Sequence, residues 1–225
     1  MVCLPGAEVT GMDANRIKLG TFCLAVATIV SLEIVAGVGI AKTGVPPLLA
    51  LGAIRVIAVL MIVAIVVSLE GNISAVGLAP SDVPTGLKKG LVWSAGFAII
   101  AVVGYAVMRM LGMNALRMIR VTMPAQTWDV VLLFCVGGVV GPIAEEVFFR
   151  GVLYGFFRRW GVAVALIASS ALFVLAHMFS PGVPWLRIAG GIVFALAYEI
   201  EGILVVPITI HVLGNLAIFA LSLLA

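Results

Sequence analysis

From Leu19 to Ala41 the chain carries one charged residue, Glu33, in an otherwise apolar run. About 20 such residues suffice for a helix to cross the hydrocarbon core of a bilayer. Comparable runs recur at about Leu48 to Leu69, Gly90 to Leu111, Trp128 onward, Val162 to Phe179, Trp185 to Ile200 and Ile203 to Leu224. In hydrocarbon every backbone polar group needs an internal partner, which a helix provides. The expectation is an all-α, polytopic membrane helix bundle of about seven to eight transmembrane helices, forming one integral-membrane domain over residues 1–225.

Composition agrees. Hydrophobic residues make up 64% and charged residues 10% of the chain, with a mean hydropathy of +1.30. A soluble domain is about half apolar and a quarter charged, so this chain has too little polar surface to cover a water-exposed globule. Its 25 glycines and 10 prolines are better tolerated in membrane helices than in soluble ones. The net charge of +3 suits a border of anionic headgroups. No basic stripe of the kind that nucleic acid needs is present. Cys3, Cys23 and Cys135 are too widely spaced for a disulfide framework or a CxxC metal site. Cys23 and Cys135 are expected to be small core hydrophobes. The first run is too long for a signal-peptide h-region and lacks a small-residue cleavage site, so it is expected to be retained as a span.

The connections have turn and interface character. "KTGVPP" and "EGNISAVGLAPSDVPTGLKK" separate the first three runs. Residues 112–127 hold Arg117, Arg120 and Pro124 among apolar residues, which suggests a surface-lying segment or a re-entrant piece. "FFRRW" sets Arg158 and Arg159 beside aromatics, as an interface anchor does. Arg16, Lys18, Lys88 and Lys89 favour a cytoplasmic N-terminus, whereas Arg117 and Arg120 lie one span away from Arg158 and Arg159.

Against this background a few side chains are costly. A charge at mid-membrane costs about 3 kcal/mol even on the lenient insertion scale. Glu145, Glu146, Arg150 and the two histidines of the chain, His177 and His211, all fall in apolar runs of the second half. Glu146 and Arg150 are four apart and share a helix face, in the favourable order. Glu145 points roughly 100° away from Glu146 and stays available. His211 and Asn215 repeat the spacing of four, and so do Phe173 and His177.

Each feature alone has a structural explanation. An i,i+4 Glu–Arg pair is usually structural, an apolar-face histidine is often a satisfied core residue, and an asparagine near a helix end often binds a carbonyl. Glu33 shows that an intramembrane acid is not diagnostic; it is expected to hydrogen-bond between helices, with contact to a site as the alternative. Taken together, one spare carboxylate, two imidazoles and an amide suit water activation. Glu145 would take a proton from water that His177 also holds, and His211 and Asn215 would donate to a developing oxyanion. Glu145, His177 and His211 are equally a ligand set for a divalent metal such as zinc. A serine nucleophile has less support, because Ser169 and Ser170 lie about two turns from His177 with no acid placed to orient a base.

"EEVFFR", "FVLAH" and "HVLGN" read as EExxxR, FxxxH and HxxxN, in that order on successive runs. The set resembles the CAAX protease and bacteriocin-processing (Abi) family of intramembrane proteases, which includes the type II CAAX prenyl endopeptidases. The resemblance covers about residues 128 to 220. It implies Glu145 as general base, His177 as a second holder of the water, His211 and Asn215 as the oxyanion hole, and Glu146, Arg150 and Phe173 as site-ordering residues. It also implies a multi-pass integral membrane endopeptidase, in the cell membrane if prokaryotic. Its substrates would be membrane proteins or lipidated peptides of CAAX-type or leader-bearing kind. The competing readings are a proton- or cation-coupled transporter and a non-catalytic immunity or scaffold protein. Against the transporter stand the absence of an inverted repeat and the clustering of polar groups in one half.

Overall fold

The computed structural model describes residues 17–114, 116, 119–178 and 184–224. Seven long helices account for most of them: α1 Leu19–Thr43, α2 Pro47–Glu70, α3 Val83–Met110, α4 Thr127–Trp160, α5 Val162–Ala176, α6 Pro184–Glu201 and α7 Val205–Leu224. Two short 3-10 turns, Ile73–Val76 and Pro80–Asp82, link α2 to α3. No strand occurs among the described residues, and the fold is an all-α membrane bundle.

Five of these helical segments are long and apolar enough to cross a membrane: Leu19–Gly37, Pro47–Glu70, Pro80–Met110, Thr127–Trp160 and Val205–Leu224. The fifth and sixth expected spans are present as helices of another kind. Helix α5 has only 15 residues. Helix α6 carries Arg187, Glu199 and Glu201. Large apolar side chains cover the outer surface, among them Ile99, Ile100 and Val102 of α3, each about two-thirds exposed. Lipid solvates such a face as well as protein would, so contacts between membrane helices rest on packing and polar bonds.

That argument corrects one expectation. Cys23 and Cys135 are exposed and are not core residues; they lie on outward faces of α1 and α4, where apolar bulk is covered by lipid. The expected surface segment around Arg117 lies partly outside the described residues. Within it, the Val121 amide donates to Ser222 Oγ of α7 at 3.0 Å.

Helix α4 runs through the centre and changes pitch twice. Residues Leu133–Val140 and Val147–Tyr154 are π-helical, flanking an α-helical Gly141–Glu146. The Gly141 amide bonds back five residues to the Val136 carbonyl. In that register the next donor falls to Pro142, which has no N–H. The Gly137 carbonyl is thereby left over, and Asn215 Nδ2 of α7 donates to it at 2.9 Å. Glycine at position 138 lets α7 come close, since a Cβ there would sit 2.6 Å from Leu216 Cδ2. At the other end Gly161, at φ 106°, turns the chain from α4 into α5.

Polar ties hold α6 to its neighbours near its C-terminal end. Glu199 accepts from Tyr154 Oη at 2.7 Å and from both Nε and Nη2 of Arg158. Glu201 accepts from Trp93 Nε1 at 2.9 Å and pairs with Lys89 at 2.6 Å. Arg158, expected as an interface anchor, is therefore also an interhelical link between α4 and α6.

Candidate active site

The two adjacent carboxylates of α4 occupy different environments, as the helical rotation between neighbours requires. Glu146 and Arg150 are fully buried. Arg150 Nη1 donates to Glu146 Oε1 at 3.1 Å, and Nη2 donates to the Gly191 carbonyl of α6 at 3.0 Å. The guanidinium also lies over the rings of Phe173 and Phe194, 4.7 and 5.3 Å from their centroids. A desolvated charge is tolerated when it is paired, and here the pairing is partial: Arg150 Nε and Glu146 Oε2 are buried without a hydrogen-bond partner. Glu145, by contrast, keeps a fifth of its side chain accessible.

Both imidazoles turn toward Glu145. His177 Nε2 is 3.5 Å from Oε1, and His211 Nε2 is 3.8 Å from Oε2. Their far nitrogens are already engaged. His177 Nδ1–H donates to the Phe173 carbonyl at 2.7 Å, and His211 Nδ1–H donates to Glu146 Oε1 at 2.7 Å. These acceptors assign the Nδ1–H tautomer to both rings when neutral, so both Nε2 lone pairs face the Glu145 carboxylate. Three acceptors converging on one gap call for a proton donor between them, and a water molecule is the smallest that serves.

The supports have simple local causes. Helix α5 stops at Ala176, and His177 follows it as the cap, one residue past the helix on which the sequence placed it. From there its ring reaches back to the Phe173 carbonyl, one of the orphan acceptors of a helix C-terminus. The His177 carbonyl accepts from Arg187 Nη1 at 2.9 Å. His211 is stacked on Phe194, with centroids 4.5 Å apart and planes 21° from parallel. Phe173 meets both rings, 4.7 Å from His177 and 6.0 Å from His211.

All seven residues singled out from sequence thus meet in one place or border it. Asn215 is the outermost: it lines the cavity beside His211 while one of its amide hydrogens holds Gly137. Sequence reasoning missed the contribution of α6, namely Arg187, Gly191 and Phe194. It also assigned Glu146 to Arg150 alone, whereas Glu146 equally fixes His211. The one available signal for α6 was Arg187, a charge inside an apolar run. Ser170 Oγ donates to Gly191 at 3.0 Å, which occupies it structurally.

Two cavities flank the site. One, of about 420 Å³, is lined by His211, Asn215, Phe173 and Phe194 with mostly apolar neighbours. The other, of about 340 Å³, is lined by Glu145 and His177 together with Glu33 and Arg55. Among the described residues no three His, Cys, Asp or Glu side chains form a group that could hold a metal ion.

Comparison with known proteins points the same way. Residues 127–217 match the family described as type II CAAX prenyl endopeptidase, Rce1-like. A segment of 84 residues is 36% identical to the membrane-embedded CAAX protease MroQ of Staphylococcus aureus (strain USA300), covering 34% of this chain and 34% of that protein. The match therefore spans about a third of the relative's length. No solved structure matches.

Proposed function

We propose that this chain, whose residues 127–217 carry the Rce1-like signature of the CAAX proteases, is an intramembrane endopeptidase using a water molecule activated by Glu145. The observation that carries the reading is the convergence of the Glu145 carboxylate with the Nε2 atoms of His177 and His211, at 3.5 and 3.8 Å.

Water in that gap donates one hydrogen to Glu145 and the other to His177. As its oxygen attacks the scissile carbonyl, Glu145 takes the proton and later returns it to the leaving amine. The tetrahedral oxyanion forms on the side of α7. There, Asn215 donates its second amide hydrogen, with His211 beside it on the same helix. Glu146 holds the His211 ring in place from behind by accepting from Nδ1–H. Arg150 holds Glu146 in place, so that the site is organised before substrate arrives. The peptide occupies the larger cavity, whose aromatic and aliphatic walls suit the apolar residues or lipid chain of a membrane-borne substrate.

The test compares membrane proteomes and purified enzyme with the Glu145→Gln variant, by mass spectrometry of cleaved termini. The variant keeps shape and hydrogen-bonding capacity but cannot accept the proton. Its kcat falls by about a thousandfold or more, with an unchanged melting temperature. Undiminished cleavage by folded Glu145→Gln protein refutes the assignment.

A further inference from the structure

We propose that Arg55, held by Glu33, is a positioning residue for Glu145, supplied by the half of the chain that carries no family motif. The inference rests on the proteolytic reading above. Arg55 lies on α2 and Glu33 on α1, and Arg55 Nη1 donates to Glu33 Oε1. Both belong to helices apolar enough to span a membrane, where a charged residue is costly and usually functional. Two apolar side chains would join α1 to α2 at least as well, so the pair needs another reason for its place.

That place is the wall of the 340 Å³ cavity. Of the nine residues lining it, Glu33, Arg55, Glu145 and His177 are ionisable. A cavity so polar and so roomy holds water, and this one opens directly onto the catalytic carboxylate. The pair is oriented within it: Arg55 is the more enclosed partner, 22% exposed against 45% for Glu33. Helix α2 packs against the Gly141–Glu146 segment that carries Glu145. On the far side of the site Arg150 is matched by Glu146, and both imidazoles have their Nδ1–H groups committed. Arg55 is then the fixed positive charge on the water side. Its field orients the Glu145 carboxylate and the water that reaches it, without touching either reacting atom. Glu33 anchors the guanidinium from the outer side.

Steady-state kinetics on the full chain in liposomes, with a peptide substrate identified by the Glu145→Gln comparison, test this. Arg55→Met lowers kcat about tenfold with KM within about twofold, and Arg55→Lys recovers most of the loss. The exchanged pair Glu33→Arg with Arg55→Glu retains an ion pair but reverses its sign, and it stays as slow as Arg55→Met. A merely structural bridge predicts the opposite: the exchange restores activity, and Arg55→Met lowers the melting temperature with kcat intact. Full kcat in folded Arg55→Met, or rescue by the exchange, overturns the proposal. If Arg55→Met does not fold, the exchanged pair decides alone. Absence of cleavage by the unaltered chain would instead refute the proteolytic reading. Cleavage that is lost in Glu145→Gln but intact in Arg55→Met refutes only this inference.

Discussion

The cavity beside Glu145 and the cavity beside Asn215 are similar in size, about 340 and 420 Å³, and differ in which ionisable groups line them. The first is walled by four ionisable side chains out of nine residues. The second presents mainly aromatic and aliphatic groups, with His211, Asn215, Thr122, Arg120 and Arg187 among them. Hydrolysis inside a bilayer must bring together a reagent that lipid excludes and a chain that lipid retains. On the proposed reading, the cavity lined by Glu145 and His177 would admit the first and the cavity lined by His211 and Asn215 the second. The contrast teaches that the costly polar residues fall into two groups on the proposed reading: those that would perform the chemistry, and the Glu33–Arg55 pair on the wall beside them.

Substitutions can break or sharpen this division. The largest effect is expected at the buried Glu146–Arg150 pair. Glu146→Ala strands Arg150 without its carboxylate and His211 without its Nδ1 acceptor, so it loses about 3–5 kcal/mol of stability along with activity, as a thermal melt and a cleavage assay will register together. On the wet side, His177→Ala removes one holder of the water and lowers kcat about a hundredfold, while KM stays near its original value. On the apolar side, Gly214→Leu adds bulk into open space, because a Cβ at this position meets nothing within 4 Å. It raises KM about tenfold and leaves kcat and melting temperature unchanged. Kinetic effects with these assignments reversed, a KM defect for His177→Ala and a kcat defect for Gly214→Leu, would abolish the distinction between the chambers.

Much of the site could be read before any coordinates. Glu146 with Arg150 followed from a spacing of four on one helix, and the distinct direction of Glu145 followed from the rotation between neighbours. The cost of charge in hydrocarbon drew attention to His177, His211 and Glu33, and each has its partner. What stayed hidden depends on distant segments. Gly191 serves Arg150 across 41 positions, and Phe194 stacks on His211 through helix packing that no local pattern encodes. The π-helical pitch of α4 was equally invisible, although Pro142 in hindsight marks where the Gly137 carbonyl needs another donor. The cysteines were misread for a different reason. Apolar character predicts burial in water-soluble proteins, but in a bilayer it is compatible with either side of a helix.

The brevity of α5 has a consequence for the surrounding lipid. Fifteen residues rise only about 22 Å, short of the roughly 30 Å of acyl-chain thickness, so α5, with His177 at its tip, is too short to cross an undeformed bilayer. Lipids beside α5 must either compress or dip to meet it. On the proposed reading, such thinning would bring the headgroup layer nearer to Glu145 and shorten the journey for an entering peptide.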